Sequence, residues 1–383
     1  RNQRIRFCRQ GKDQQIMIEY RMSQLDSSGI RKVFDLAQKM QNPVNLSIGQ
    51  PDFDVPEEIK TEAIKAIKDG ANKYTVAQGI IELRDGLLKR LQKKRLVNAE
   101  SIMITSGVSG ALTLAFMVLI NPDDEVLIPD PAFVSYKHLT NFCGGKPVFV
   151  DTYPDFKLTA ARIQPHITKK TKILVINSPA NPTGAMCTSE ELKEIAELAR
   201  KHSLLVISDE IYHGYDYNQE FDSVGRYYEK TLILDGFSKS FAMTGWRMGY
   251  AAGPTSIISE MIKLQQYTFV CAPSFAQYAL TRSLETDMSK HIASYQKKRD
   301  MMYDGLRDKY PMVKPGGAFY LFPQVPWGTD EEFVAAAIQK NLLIIPGNVF
   351  SERHTHFRIS YAATDETIKR GVDILNNLTK QLL

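Results

Sequence analysis

Four short apolar runs, each ending in a polar turn, limit what this chain can fold into. Ile102-Met103-Ile104-Thr105 runs into Ser106-Gly107-Val108-Ser109-Gly110 and then a long apolar segment, residues 111–119. Lys172-Ile173-Leu174-Val175-Ile176 leads into Asn177-Ser178-Pro179-Ala180-Asn181-Pro182-Thr183-Gly184. Leu204-Leu205-Val206-Ile207-Ser208 leads into Asp209-Glu210-Ile211-Tyr212, and Thr231-Leu232-Ile233-Leu234-Asp235 into Gly236-Phe237-Ser238-Lys239-Ser240. Strands alternating with helical stretches imply an α/β fold with a mostly parallel sheet sandwiched by helices, and such sheets bind ligands at the carboxyl ends of their strands. Gly107, Asn181, Asp209 and Lys239 are therefore expected on one edge. An amide, a carboxylate, a phenol, an amine and a glycine-opened helix start at that edge point to a cofactor site.

Lys239 carries the chemistry. A lysine held at the end of a buried strand loses solvation, so its pKa falls toward neutrality and its amine can attack a carbonyl carbon. Those are the properties of a Schiff-base lysine. One lysine at a strand end is more often a solvated loop residue; the neighbouring motifs change the reading.

In combination these motifs resemble the fold-type I pyridoxal-phosphate enzymes, and among them the class I aminotransferases of the aspartate/aromatic type. The resemblance runs from about Met22 to the C-terminus. Asn181-Pro182-Thr183-Gly184, Ser208-Asp209-Glu210-Ile211-Tyr212 and Ser238-Lys239 stand in the family's order.

The resemblance implies roles that suit each residue type. Asp209 would pair with the protonated pyridine nitrogen and keep the ring cationic. Tyr212 and Asn181 would hydrogen-bond the ring's phenolate oxygen, although Asn181-Pro182 is also a strong turn signal in its own right. Phe133, in Asp130-Pro131-Ala132-Phe133-Val134-Ser135-Tyr136, would stack on one ring face and Ile211 press on the other. Ser106, Gly107, Val108, Ser238 and Arg247 would surround the phosphate, through backbone N–H groups at a helix start and a bidentate guanidinium. Tyr74, in Lys73-Tyr74-Thr75, would reach the phosphate of a neighbouring subunit, so the active unit is expected to be a homodimer with shared sites. Arg358, in His356-Phe357-Arg358-Ile359-Ser360, would clamp the substrate carboxylate, helped by the backbone of Gly49.

Composition bounds the alternatives. At 383 residues, 43% apolar and 24% charged, the chain has the makeup of a globular protein of more than one domain. Residues 1–21 hold six Lys or Arg against two acidic residues and so account for +4 of the net charge of +5. The body is nearly neutral, which argues against a nucleic-acid surface. Its longest apolar stretch, residues 111–120, falls short of the roughly 20 residues of a membrane span. Cys8, Cys143, Cys187 and Cys271 are scattered without paired spacing, which argues against disulfides and zinc and for a reduced cytoplasmic setting. The seven histidines show no metal-ligand pattern, so no metal is expected.

Residues 61–287 are expected to form the large cofactor-binding domain. Residues 22–60 and 288–383 would form a smaller α/β domain from both chain ends, as in the aspartate aminotransferase fold, and residues 1–21 a disordered extension. Thr188-Ser189-Glu190-Glu191 reads as a capping box, and Pro56 to Gly70 as a helix. The implied activity is pyridoxal-phosphate-dependent transamination between an amino acid and a 2-oxo acid such as 2-oxoglutarate, with Lys239 as anchor and proton shuttle. Some aspartate-specific relatives place a lysine where this chain has Ser109, so an aromatic or broad range ranks above strict aspartate. The rival readings are a β-lyase on the same fold and a non-catalytic cofactor-binding regulator.

Overall fold

The computed structural model describes residues 6–9, 15–18, 22, 25, 29, 33 and 37–379. All four predicted runs form strands, and three further strands join them in a seven-stranded sheet. In chain order these are β1 Ser101–Ser106, β2 Glu125–Asp130, β3 Lys146–Asp151, β4 Thr171–Asn177, β5 Leu205–Asp209, β6 Thr231–Gly236 and β7 Met248–Gly253. Their spatial order is β1-β7-β6-β5-β4-β2-β3. Every neighbouring pair is parallel except those made by β7, which runs against both β1 and β6. Strands covered on both faces read as continuous apolar runs rather than alternating ones, and residues 173–176 and 232–234 are buried throughout.

Register decides where the polar turns begin. Asn177 lies opposite Asp209, and Asp209 opposite Leu234. β4, β5 and β6 thus release their chains at nearly one level. Asn177 Nδ2 donates to the backbone oxygen of Asp209 at 2.9 Å and stitches two of these ends together.

The helix expected to open at Gly107 does so, directly at the end of β1, and runs through the apolar segment to Leu119. Its Leu112, Leu114, Ala115 and Phe116 are buried in the same cluster as Val126, Ile128, Val175 and Leu234 of the sheet. The capping box forms: Thr188 Oγ1 accepts from the backbone of Glu191, whose carboxylate accepts from the backbone of Thr188, opening helix Ser189–Lys201. Helix Glu57–Lys68 follows Pro56 and stops before Gly70, whose φ of +89° suits glycine. This helix continues across residue 60, and its Ile59 and Ala63 pack with Ile102 and Ile104 of β1.

Both chain ends meet in a second layer. Val44–Asn45 pairs in parallel with Leu342–Leu343, and Leu46 accepts a backbone hydrogen bond from Ser360 at 2.7 Å. Ser360 ends strand β8, Phe357–Ser360, which lies between Tyr320–Leu321 and Ile345–Pro346. A cluster of buried aromatics, Tyr215, Tyr295, Phe319, Tyr320 and Phe357, ties this layer to the turn after β5.

The extension departs from the expected disorder in two places. Arg6–Arg9 pairs antiparallel with Gln15–Ile18, in register Arg6 to Ile18. Phe7, Cys8, Ile16 and Ile18 give both segments β-type composition, which the charge count over residues 1–21 obscured. The rest of residues 1–21 lies outside the described residues.

Candidate active site

At the carboxyl edge of the sheet, the turns after β1, β4, β5 and β6 enclose a cavity of about 260 Å³ with β8 on its far side. Lys239 enters it from the short helix Phe237–Ser240 that directly follows β6. Its Nζ donates to the backbone oxygen of Gly49 at 2.5 Å. Burial, then the nearby Arg358 and Arg247 guanidinium groups, lower its pKa to about 8, with Asp209 acting the other way. A minor fraction of the amine, far larger than for an ordinary lysine, is therefore neutral near pH 7 and available as a nucleophile or base.

Asp209, at the end of β5, is 3% exposed. Its Oδ2 accepts from the Tyr136 hydroxyl at 2.7 Å and its Oδ1 from the Ile211 backbone at 3.3 Å. Burial raises the carboxyl to about 6 although both hydrogen bonds lower it. A buried carboxylate with so little counter-charge is well matched to a cationic partner from outside the chain.

Gly107 opens its helix at φ +66°, and a Cβ there would lie 2.4 Å from Arg247 Nη2. Glycine thus lets the guanidinium lie against the helix start, where backbone N–H groups are free to bind an anion. Arg247 is itself in the left-handed region and donates from Nη1 to the Thr244 carbonyl at 3.0 Å. Val108 and Ser238 line the same end of the cavity.

Arg358, from the middle of β8, is 1% exposed. Its Nη1 donates to Asn181 Oδ1 at 3.0 Å and its Nη2 to the Ser47 carbonyl at 2.8 Å, while its plane lies over the rings of Tyr320 and Phe350. With Oδ1 of Asn181 engaged, the amide retains N–H donors for an oxygen in the cavity. The Tyr212 hydroxyl is 2.8 Å from that of Tyr320, and both line the cavity. Next to it, sharing Gly49, Ser109, Leu112, Phe133, Lys239 and Thr244, is a recess of about 760 Å³ walled largely by apolar side chains, among them Ile48, Val134, Leu139 and Phe142.

Of the residues singled out in the sequence, Gly49, Val108, Phe133, Asn181, Asp209, Ile211, Tyr212, Ser238, Lys239, Arg247 and Arg358 line this one cavity. Gly107 borders it through its contact with Arg247. Ser106 occupies the position before the helix without a side-chain cap hydrogen bond and does not line the cavity. Tyr74 is 85% exposed and does not line the cavity of its own chain. Sequence reasoning missed Tyr136, Asn177 and Tyr320 as members of the site. Tyr136 and Asn177 sat in motifs already in view and Tyr320 did not; the partner hydroxyl of Tyr320, on Tyr212, lies 108 residues away in the chain.

Residues 41–375 match the family model described as aminotransferase class I and II. The chain is 38% identical over 375 residues to a probable aspartate aminotransferase of Methanocaldococcus jannaschii, covering 94% of this chain and 100% of that one. It is 36% identical over 380 residues to aromatic-amino-acid aminotransferase 2 of Thermococcus litoralis, covering 94% and 98%. The solved aspartate aminotransferase from Thermus thermophilus with maleate superposes with a TM-score of 0.90 at 31% identity, covering 94% of this chain and 99% of that one. The chain belongs to the class I and II aminotransferase family and is an enzyme that transfers nitrogenous groups.

Proposed function

We propose that this enzyme uses pyridoxal 5'-phosphate to transaminate amino acids of aromatic or broad range, aspartate among them, against a 2-oxo acid such as 2-oxoglutarate. The observation that carries the reading is the meeting of Lys239, its amine poised near pKa 8, with the buried Asp209 and Arg358 in one cavity. The residues present fit the cofactor. A carboxylate with little counter-charge suits a ring N–H, a glycine-opened helix start beside Arg247 suits a phosphate, and Phe133 and Ile211 give a flat slot.

When bound, the cofactor supplies an electrophilic carbon and an electron sink for the charge left at the substrate Cα. Lys239 would hold it through Nζ, Asp209 would face its ring nitrogen, and Tyr212 and Asn181 would donate to its ring oxygen. Val108, Ser238 and Arg247 would hold its phosphate. Arg358 grips the substrate α-carboxylate with its planar fork and so fixes the Cα–H bond relative to Lys239. Nζ of Lys239, when free, would take that proton as a base and return it as an acid. The apolar walls of the adjoining recess and the uncharged Ser109 favour apolar and aromatic side chains over acidic ones.

The same reading makes the active unit a homodimer. Tyr74, Val76, Tyr267 and Tyr278 are large and exposed, and hydrogen bonds such as Gln277 Nε2 to Thr75 Oγ1 at 3.1 Å bring their segments together into one face. The layer built from both chain ends, with helix Glu57–Lys68 staying on the sheet, would close over the sheet domain and exclude water from the site. A cytoplasmic location accords with the free thiols of Cys143, Cys187 and Cys271. The test is a substrate panel with 2-oxoglutarate as acceptor, measuring oxo-acid formation beside ammonia and pyruvate release. Oxo acid in step with glutamate is the expected result, and ammonia with pyruvate from a β-substituted donor would replace this reading with a β-lyase.

A further inference from the structure

Behind the catalytic edge lies a cluster of ionised groups that the chemistry above does not use. Arg95 terminates helix Ile81–Lys94, and its side chain is only 12% exposed. It pairs with two carboxylates more deeply buried than itself: Nη1 donates to Asp235 Oδ2 at 2.9 Å, and Nη2 meets Glu210. The ring of Phe221 covers the guanidinium, 5.1 Å from its carbon. Asp235 also accepts from the Tyr250 hydroxyl at 2.8 Å and the Gly236 backbone at 2.6 Å, with His213 Nδ1 at 3.0 Å. Glu210 accepts from Ser208 Oγ at 2.8 Å and Ser223 Oγ at 2.6 Å. Among the described residues, Arg95 is the one Lys or Arg paired with either carboxylate.

The two carboxylates sit at telling places in the chain. Glu210 is the next residue after Asp209, and Asp235 lies near the end of β6, four residues before Lys239. β5 and β6 are neighbours, so one guanidinium spans the ends of the two strands that carry the acid and the amine. Two buried carboxylates at adjacent strand ends repel unless a cation lies between them, and a planar fork can pair with both at once where an ammonium cannot reproduce the geometry.

We propose that Arg95 is a positioning residue for this enzyme: by bridging Glu210 and Asp235 it fixes the separation of the Asp209 carboxylate from the Lys239 amine. The inference rests on the pyridoxal-phosphate reading above. Without Arg95 the backbone pairing of β5 with β6 persists and His213 is left as the basic group beside Asp235, but the tie between the two carboxylates is lost and the side chains that follow each strand are free to shift. The groups at both ends of the bound cofactor shift together while Arg358, anchored on β8, stays in place.

The experiment compares wild type with Arg95→Gln, which removes charge and fork, and Arg95→Lys, which keeps the charge alone. Each protein is loaded with pyridoxal phosphate, its absorbance is titrated with pH, and kcat and KM are measured. Melting of the cofactor-free forms reports folding. The expected result is a titration midpoint displaced by about half a pH unit or more in Arg95→Gln, and by less in Arg95→Lys. In both variants kcat falls about tenfold or more while KM stays within about threefold, because misplacement of reacting groups costs rate more than binding. Titration curves of both variants that superpose on wild type overturn the proposal, whatever the turnover. If Arg95→Gln does not fold, Arg95→Lys decides alone: wild-type titration and kcat overturn the proposal, and loss of both supports it. If borohydride traps no cofactor on Lys239 of the wild type, the pyridoxal-phosphate reading has failed, and the Arg95 proposal falls with it.

Discussion

Replacing Lys239 with methionine should stabilise the cofactor-free protein, by an amount that depends on pH in a defined window. The Lys239 amine falls from an ordinary value of 10.5 to about 8 in the folded chain, chiefly through burial. The unfolded chain holds its proton more tightly, and each tenfold loss of proton affinity is worth about 1.4 kcal/mol, so folding with a charged lysine costs about 3.5 kcal/mol at most. The Lys239 residue as a whole is only partly buried, and about 2–3 kcal/mol is the working figure after solvent screening. Below pH 8 both states are protonated and the penalty is complete. Between pH 8 and 10.5 the unfolded state binds the extra proton, so wild-type stability gains on the variant as pH rises, until the penalty is gone above 10.5. Denaturant midpoints of cofactor-free wild type and Lys239→Met, at one protein concentration and a series of pH values, give the difference directly. The variant should lead by about 2–3 kcal/mol at pH 7, with a steadily shrinking gap at higher pH. A gap that is constant with pH, or a variant less stable at pH 7, would refute the claim that burial depresses this amine.

Asp209→Asn should slow Cα proton removal by on the order of a hundredfold or more, because it removes a preorganised charge from the reacting site. The cofactor-free variant should melt no lower than wild type, since the lost carboxylate is buried with its pKa raised to about 6; an unchanged rate constant would make Asp209 purely structural. Arg358→Lys should lower kcat/KM by about tenfold or more for every amino-acid donor alike, since the fork serves the carboxylate they share, and a loss confined to one donor would contradict that role. In mixtures of one chain carrying Tyr74→Ala with another carrying Lys239→Ala, heterodimers should recover one intact pocket, because both defects fall in the other. The Tyr74→Ala/Lys239→Ala double variant mixed with wild type should not, and equal recovery per wild-type Lys239 in both mixtures would remove Tyr74 from the neighbouring site.

The strands and the residues that end them were legible in the sequence because local chemistry settles them. Runs such as Leu232-Ile233-Leu234 have no polar side-chain atom to leave unsatisfied in a two-sided sheet, and Gly107 and the Thr188–Glu191 box mark helix starts by their own backbone needs. Asp209 stands out as a charged group at the very end of an apolar run, and Lys239 as the amine in the turn that follows one. Composition was a poorer guide over residues 1–21, where counting charges hid two segments able to pair as strands.

Partners far apart in the chain were settled only by the tertiary structure. Antiparallel insertion of β7 between β1 and β6 presents Arg247 to Gly107. The pairing of Tyr136 with Asp209, of Tyr212 with Tyr320 and of Arg358 with Asn181 spans 73, 108 and 177 residues. No local propensity encodes such contacts. The level of Asp209 against Lys239, and the bridge of Arg95 behind them, exist because strand register is fixed by packing both faces of the sheet at once, and a slip of one residue would turn every buried side chain to the opposite face.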